Sequence, residues 1–178
     1  MRMKMTKRLT LCGVLIALAM ALSYTERLIP LQMLIPLPGI KLGLANIVTL
    51  IALYLLGIGN AYTILVLRCL LGAAFGGGIS GLLFSVVGGL LALTVMSIAR
   101  KMPCFSVYGV SILGAAAHNV GQIAVAVLLM KSVYVGAYLP WLLIVALFTG
   151  YGTGTASAAC LRMLPVSRLG LSEGTTKH

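Results

Sequence analysis

Aspartate is missing from this chain, and glutamate occurs only twice, as Glu26 and Glu173. Carboxylates are the usual general acids, general bases and magnesium ligands, so their scarcity removes whole classes of chemistry. No serine or cysteine nucleophile can be matched with both a base and an acid. No glycine-rich phosphate loop ends in Gly-Lys-Ser or Gly-Lys-Thr, so ATP is not hydrolysed by that route; "GGGISG" lacks the lysine and the preceding strand. The four cysteines, Cys12, Cys69, Cys104 and Cys160, contain no CxxC pair. They read as buried thiols, with neither a disulfide frame nor a zinc site. Charged residues make up 8% of the chain, and a soluble domain of 178 residues needs far more to cover its surface. Stand-alone catalysis is not expected, and no cofactor or metal is implied.

What is present is apolar. Hydrophobic residues account for 61% of the sequence, and the mean hydropathy is +1.12. Several runs approach the roughly 20 residues that a bilayer core demands. The reading is an all-α integral membrane protein, a single membrane domain over 1–178, with the lipid bilayer as its solvent. The net charge of +11 does not indicate nucleic acid, because the basic residues form no stripe and no aromatic platform accompanies them.

The breakers predict six helices: 9–24, 42–56, 61–75, 80–99, 107–130 and 139–163. An outer loop is expected over 25–41, and a polar tail over 164–178. The basic, then apolar start imitates a secretory signal, but the rest of the chain is equally apolar, so it is kept as the first helix. Arg2, Lys4, Lys7, Arg8, Arg100, Lys101, Arg162, Arg168 and Lys177 fall on one side of this arrangement. Arg27, Lys41 and Lys131 fall on the other. Both termini are therefore expected in the cytoplasm.

Lipid gives helices no hydrophobic reason to associate, so small residues mark close contacts. Gly13, Ala17 and Ala21 form one stripe. Gly81, Ser85 and Gly89 form another, and Gly150, Gly154 and Ala158 a third. The last two are expected to serve internal packing.

Polar groups inside spans are functional suspects by default. Arg68 stands near the middle of the third helix, where an unpaired arginine costs about 2.5–3.5 kcal/mol on insertion scales. Glu26 is the plausible partner within the chain, as a clamp on the outer loop; direct ligand binding is the alternative. In "GAAAHNVGQ", His118 and Gln122 share a face four residues apart, with Asn119 beside them. They serve either as interhelical glue or as substrate contacts. Lys41 and Asn46, in "IPLPGIKLGLANIVTL", are read as the outer end of the second helix and a point about a turn and a half inside it. Together with Arg27, Arg68 and His118 they can line an outward cavity of positive potential. Such a cavity favours an anionic ligand, or one with several acceptors.

"PGIKLGLANIVTL", the arginine of the third helix, "LLFSVVGGLLA" and "HNVGQ" resemble a bacterial membrane family known both as "heptaprenyl diphosphate synthase component I" and as "Gx transporter". The resemblance runs from about Leu11 to Met163. That family is similar in layout to the substrate-binding S components of energy-coupling-factor transporters. The resemblance implies six helices, an outward ligand pocket and a bacterial cell membrane. It also implies a helix 1 stripe that meets a coupling transmembrane subunit carrying ATPases; "ALAMA", Ala17 to Ala21, matches its AxxxA form. The synthase name fits the residues poorly, because prenyl diphosphate synthases use aspartate-rich magnesium motifs.

The resulting expectation is a membrane protein that captures a small-molecule ligand from the outer face. Its candidate ligand shell is Glu26, Arg27, Lys41, Asn46, Arg68, His118, Asn119 and Gln122, and its candidate partner interface is Gly13, Ala17 and Ala21. A non-catalytic subunit beside a prenyl diphosphate synthase in isoprenoid or quinone synthesis is the second reading. A structural member of a membrane redox assembly is the third.

Overall fold

The computed structural model of the chain describes residues 5–27 and 43–163, and all regular structure among them is helical. The helices are α1 (Met5–Arg27), α2 (Asn46–Leu56), α3 (Ile58–Gly72), α4 (Gly78–Ala99), α5 (Val107–Met130) and α6 (Leu139–Met163). A π turn, Ala73–Gly77, joins α3 to α4, and a 3-10 segment, Val133–Tyr138, leads into α6. Five spans are long and apolar enough to cross a membrane: Met5–Glu26, Ile58–Gly76, Gly78–Ala99, Val107–Met130 and Val133–Met163. This is a multi-pass membrane protein.

The expected bounds of α5 and α6 match those observed, and the other four shift for local reasons. α1 extends past 9–24 at both ends, since Lys and Arg are good helix formers and no breaker occurs before Pro30. α3 starts at Ile58 because Gly57 alone, at φ +82°, turns the chain. The break before α4 falls at Phe75 and Gly76, where the backbone leaves helical geometry.

The largest correction concerns α2. It was expected over 42–56 but begins at Asn46, because Gly43 adopts φ +82° and cannot continue a helix. At about 1.5 Å per residue its 11 residues reach roughly 16 Å, half a bilayer core. Asn46 is therefore the first residue of the helix and not a point a turn and a half inside it. So short a helix survives at membrane depth because it is enclosed: nine of its eleven residues are buried, and it touches each of the other five helices. At its far end the Arg100 guanidinium donates to the Leu53 carbonyl and lies 4.7 Å from the centre of the Tyr54 ring. The end of α4 thus lies beside the end of α2.

α4, α5 and α6 form a close-packed row in which glycine sets the spacing. A Cβ on Gly121 would stand 2.8 Å from the Gly88 Cα, so the backbones of α5 and α4 meet with nothing between them. Gly150 and Gly154 of α6 face the Cα atoms of Ile112 and Tyr108 in α5, as the third stripe predicted. The helix 4 stripe is less uniform. Gly89 packs against Leu65 of α3, but a Cβ on Gly81 would meet nothing within 4 Å. Hydroxyl pairs add polar ties: Tyr62 with Thr94 at 2.8 Å between α3 and α4, and Ser111 with Thr153 at 2.8 Å between α5 and α6. None of the four cysteines is joined in a disulfide; Cys69 is buried, whereas Cys104 is exposed in the polar turn after α4, contrary to the buried reading.

Substituting Gly121→Ala forces the α4 and α5 backbones apart and should destabilise the protein by about 1–3 kcal/mol. Gly81→Ala, with open space around it, should change stability by no more than about 0.5 kcal/mol. Unfolding of the purified variants in micelles checks both.

Candidate functional site

The last turn of α1 and the first turn of α2 meet at one end of the bundle. The Gly43 N–H donates to Glu26 Oε1 at 2.5 Å, joining two positions 17 residues apart. Only glycine suits this corner. Its φ is positive, and a Cβ would stand 2.9 Å from the Asn46 amide nitrogen and 3.4 Å from the His118 ring. Glu26, Asn46 and His118 are thereby brought around a single backbone turn.

Behind that turn lies a cavity lined by Ser23, Glu26, Gly43, Ala45, Asn46, Arg68, Ser85 and His118, drawn from α1, the α2 entry, α3, α4 and α5. Its free volume is about 10 Å³, room for about one water. Arg68 stands at mid-span in α3 and is 7% exposed; Glu26 is 3% exposed and His118 3%. The Glu26 carboxylate is close enough for its field to act on the Arg68 guanidinium.

The His118 ring reaches the cavity because α4 offers glycine where the ring passes. A Cβ on Gly88 would lie 3.0 Å from two ring atoms of His118. The next residue, Gly89, faces the Leu65 side chain and the Arg68 Nη2 in α3. The two adjacent glycines in "VVGGLL" thus seat one polar side chain from each neighbouring helix.

Of the sequence candidates, Glu26, Asn46, Arg68 and His118 come together here. Asn119 does not: its Nδ2 donates to the Leu142 carbonyl of α6 at 2.8 Å, so it is interhelical glue. One residue along a helix turns a side chain by about 100°, which separates Asn119 from His118. Gln122 is fully buried but is not part of the cavity wall. Lys41 and the side chain of Arg27 lie outside the described residues. The described wall carries one charge of each sign, Glu26 and Arg68; Arg27 and Lys41, on which the expected positive potential also drew, are not among the described side chains. Gly43, Ser23 and Ser85 were not among the candidate ligand residues. The sequence signal for Gly43 was the glycine in "KLGLAN", placed just before a polar residue at a helix start.

The small-residue stripe of α1 points the other way. Gly13, Ala17 and Ala21 are all exposed, while Leu15, Ala19 and Glu26 face the bundle. α1 is the least buried of the five long spans. Among the described residues, no group of three or more His, Cys, Asp or Glu could hold a metal ion.

If the two buried charges sense each other, Arg68→Met and Glu26→Gln will not act independently. The double substitution should destabilise the chain by at least about 1 kcal/mol less than the sum of the single ones. Unfolding of the four proteins in micelles measures this, and strict additivity would show that the charges are uncoupled.

The model of one protein family, described as heptaprenyl diphosphate synthase component I, matches residues 15–163. No curated protein and no solved structure matches.

Proposed function

This chain belongs to the heptaprenyl diphosphate synthase component I family, and we propose that it is the substrate-binding membrane component of an uptake system. It captures a small molecule from the outer face and passes it inward through partner subunits. The observation that carries this reading is the convergence of Glu26, Asn46, Arg68 and His118, from four different helices, on one buried cavity. Polar groups at membrane depth are costly, and bonding between neighbouring helices needs no shared hollow.

In this reading α2 is the sixth, foreshortened crossing. Its start lies beside the end of α1 at Glu26, and its end lies beside the end of α4 at Arg100. It therefore runs opposite to α1, and the chain returns to the side from which it began. The positive-inside rule places Arg100, Lys101 and both termini in the cytoplasm, with the cavity end outward. The membrane is that of a bacterial cell, and the whole chain acts as one domain.

The chain has no aspartate and no glycine-rich phosphate loop, so in this reading the energy for release comes from elsewhere. The exposed stripe of Gly13, Ala17 and Ala21 supports a docking face for a coupling transmembrane subunit with ATPases, since small residues let two helix backbones approach. The family's description favours a second reading, in which the same membrane body serves a prenyl diphosphate synthase as a non-catalytic partner.

Native mass spectrometry of the full chain, gently extracted from its own host, should show a retained small molecule that disappears in the Arg68→Ala, His118→Ala variant. An empty chain that co-elutes with a prenyl diphosphate synthase would overturn the capture reading in favour of the second. Ala17→Leu with Ala21→Leu should leave thermal unfolding of the isolated chain unchanged and abolish co-purification of the coupling subunit. Unchanged co-purification would exclude the stripe as the docking face.

A further inference from the structure

Thirteen lysines and arginines stand against two glutamates in this chain, and they are unevenly placed. Lys7 and Arg8 open α1, Arg100 and Lys101 follow α4, and Arg162 closes α6. The antiparallel packing of α4, α5 and α6, with the ties of α2 to Glu26 and Arg100, gathers these three helix ends at one end of the bundle. The terminal segments that continue from α1 and α6 add Arg2, Lys4, Arg168 and Lys177, with Glu173 as their one acidic residue. By sequence alone, this end therefore carries nine basic residues and one acidic one.

One of these cations is engaged within the bundle: the Arg100 guanidinium donates to the Leu53 carbonyl and lies against the Tyr54 ring. Lys7, Arg8, Lys101 and Arg162 are exposed, and each has a large exposed apolar side chain within three residues. Met5, 88% exposed, and Leu9 flank Lys7 and Arg8; Ile98 and Met102 flank Lys101; Met163, 85% exposed, follows Arg162. Three separate helix ends thus repeat one pairing of charge with hydrocarbon.

These ends continue spans whose outer sides meet lipid, and in lipid the acyl chains and the phosphate layer are stacked. An apolar side chain and a cation one turn apart suit that stack, the first in the hydrocarbon and the second at the headgroups. Unbranched methionine, which supplies three of the five apolar neighbours, adapts readily to fluid chains. The apolar neighbours also fix distance. Charges are screened over about 8 Å at physiological salt, so a cation acts on a lipid phosphate only where its helix end is held in the headgroup layer.

We propose that this rim binds anionic phospholipid headgroups through Lys7, Arg8, Lys101 and Arg162. It does so whichever cargo or partner the bundle serves. α1, the least buried of the long spans, thereby gains a hold on the bilayer that its packing does not give.

Spin-labelled lipids test this on the full chain reconstituted in phosphatidylcholine bilayers. Electron paramagnetic resonance measures how much of a trace label, phosphatidylglycerol or phosphatidylcholine, is immobilised at the protein surface. Phosphatidylglycerol should associate about threefold more strongly than phosphatidylcholine. About 1 M salt should erase the difference, because screening then acts within about 3 Å. Lys7→Gln, Arg8→Gln, Lys101→Gln and Arg162→Gln together should remove about half of the excess or more. Lys131→Gln, at the other end, should leave it unchanged. Equal association of the two lipids with the unaltered chain overturns the proposal and leaves the rim to an acidic protein. An excess that survives the fourfold substitution, or that falls with Lys131→Gln, overturns it as well. If the fourfold variant fails to reconstitute, the salt dependence of the unaltered chain and Lys131→Gln decide.

Discussion

A guanidinium held at the middle of an apolar span is the constraint on which the rest of this structure depends. Arg68 cannot snorkel to a distant interface from mid-span, so the bundle has to build a polar environment around it. Glu26 is the carboxylate that the described chain offers, and it stands at the end of α1, far from Arg68 in sequence. Bringing it inward requires that α1 and the start of α2 close over the same end of the bundle. The Gly43 N–H does this by binding the carboxylate, and the positive φ of Gly43 then aims Asn46 at the same spot. The late start of α2 and the composition of the cavity wall both follow from housing this one charge.

Close approach of helices supplies the second half of the arrangement. Apolar side chains gain nothing from leaving lipid for protein, so the bundle relies on backbones that touch. The crossing of Gly88 with Gly121 draws α4 against α5, and the same contact lets the His118 ring slide past α4 into the cavity. A β-carbon at Gly88 would press on the ring while also widening the crossing. Packing and site construction are thus one problem at Gly88, while the adjacent Gly89 gives the same room to Leu65 and Arg68 of α3.

The parts of this structure legible in the sequence were those governed by composition and by single strong breakers. The apolar runs and the polar turns at 100–106 and 131–138 were enough to place α5 and α6. Arg68 and His118 announced themselves because charge and imidazole are rare in such company. Other features were hidden for physical reasons. Gly43 and Gly57 look like ordinary residues until their φ values are known, so the sequence reading starts α2 too early and α3 too late. The stripe on α4 was read by four-residue spacing through Gly89, whereas the closest approach to α5 is made by Gly88, one position and about 100° away. Asn119 shared a motif with His118 in sequence, but helical rotation sends the two to different neighbours.

A cavity with room for about one water cannot enclose a cargo of several heavy atoms, so the proposed capture requires a second arrangement of the same parts. The bond between Glu26 and Gly43 is one tie that such a change would release. It lies at the bundle's end and ties α1, the least buried of the long spans, to a backbone turn and not to a packed helix face. The α4–α5–α6 row, by contrast, is locked by backbone contacts that cannot yield by side-chain motion. In the proposed reading, opening would set a rigid wall bearing His118 against a yielding α1 bearing Glu26, with Arg68 on α3 and Asn46 on the enclosed α2 between them. The exposed small-residue stripe lies on the yielding side, on α1 itself. A partner docked there would grip the element whose displacement opens the cavity, so binding of the partner and access to the site become linked through a single helix.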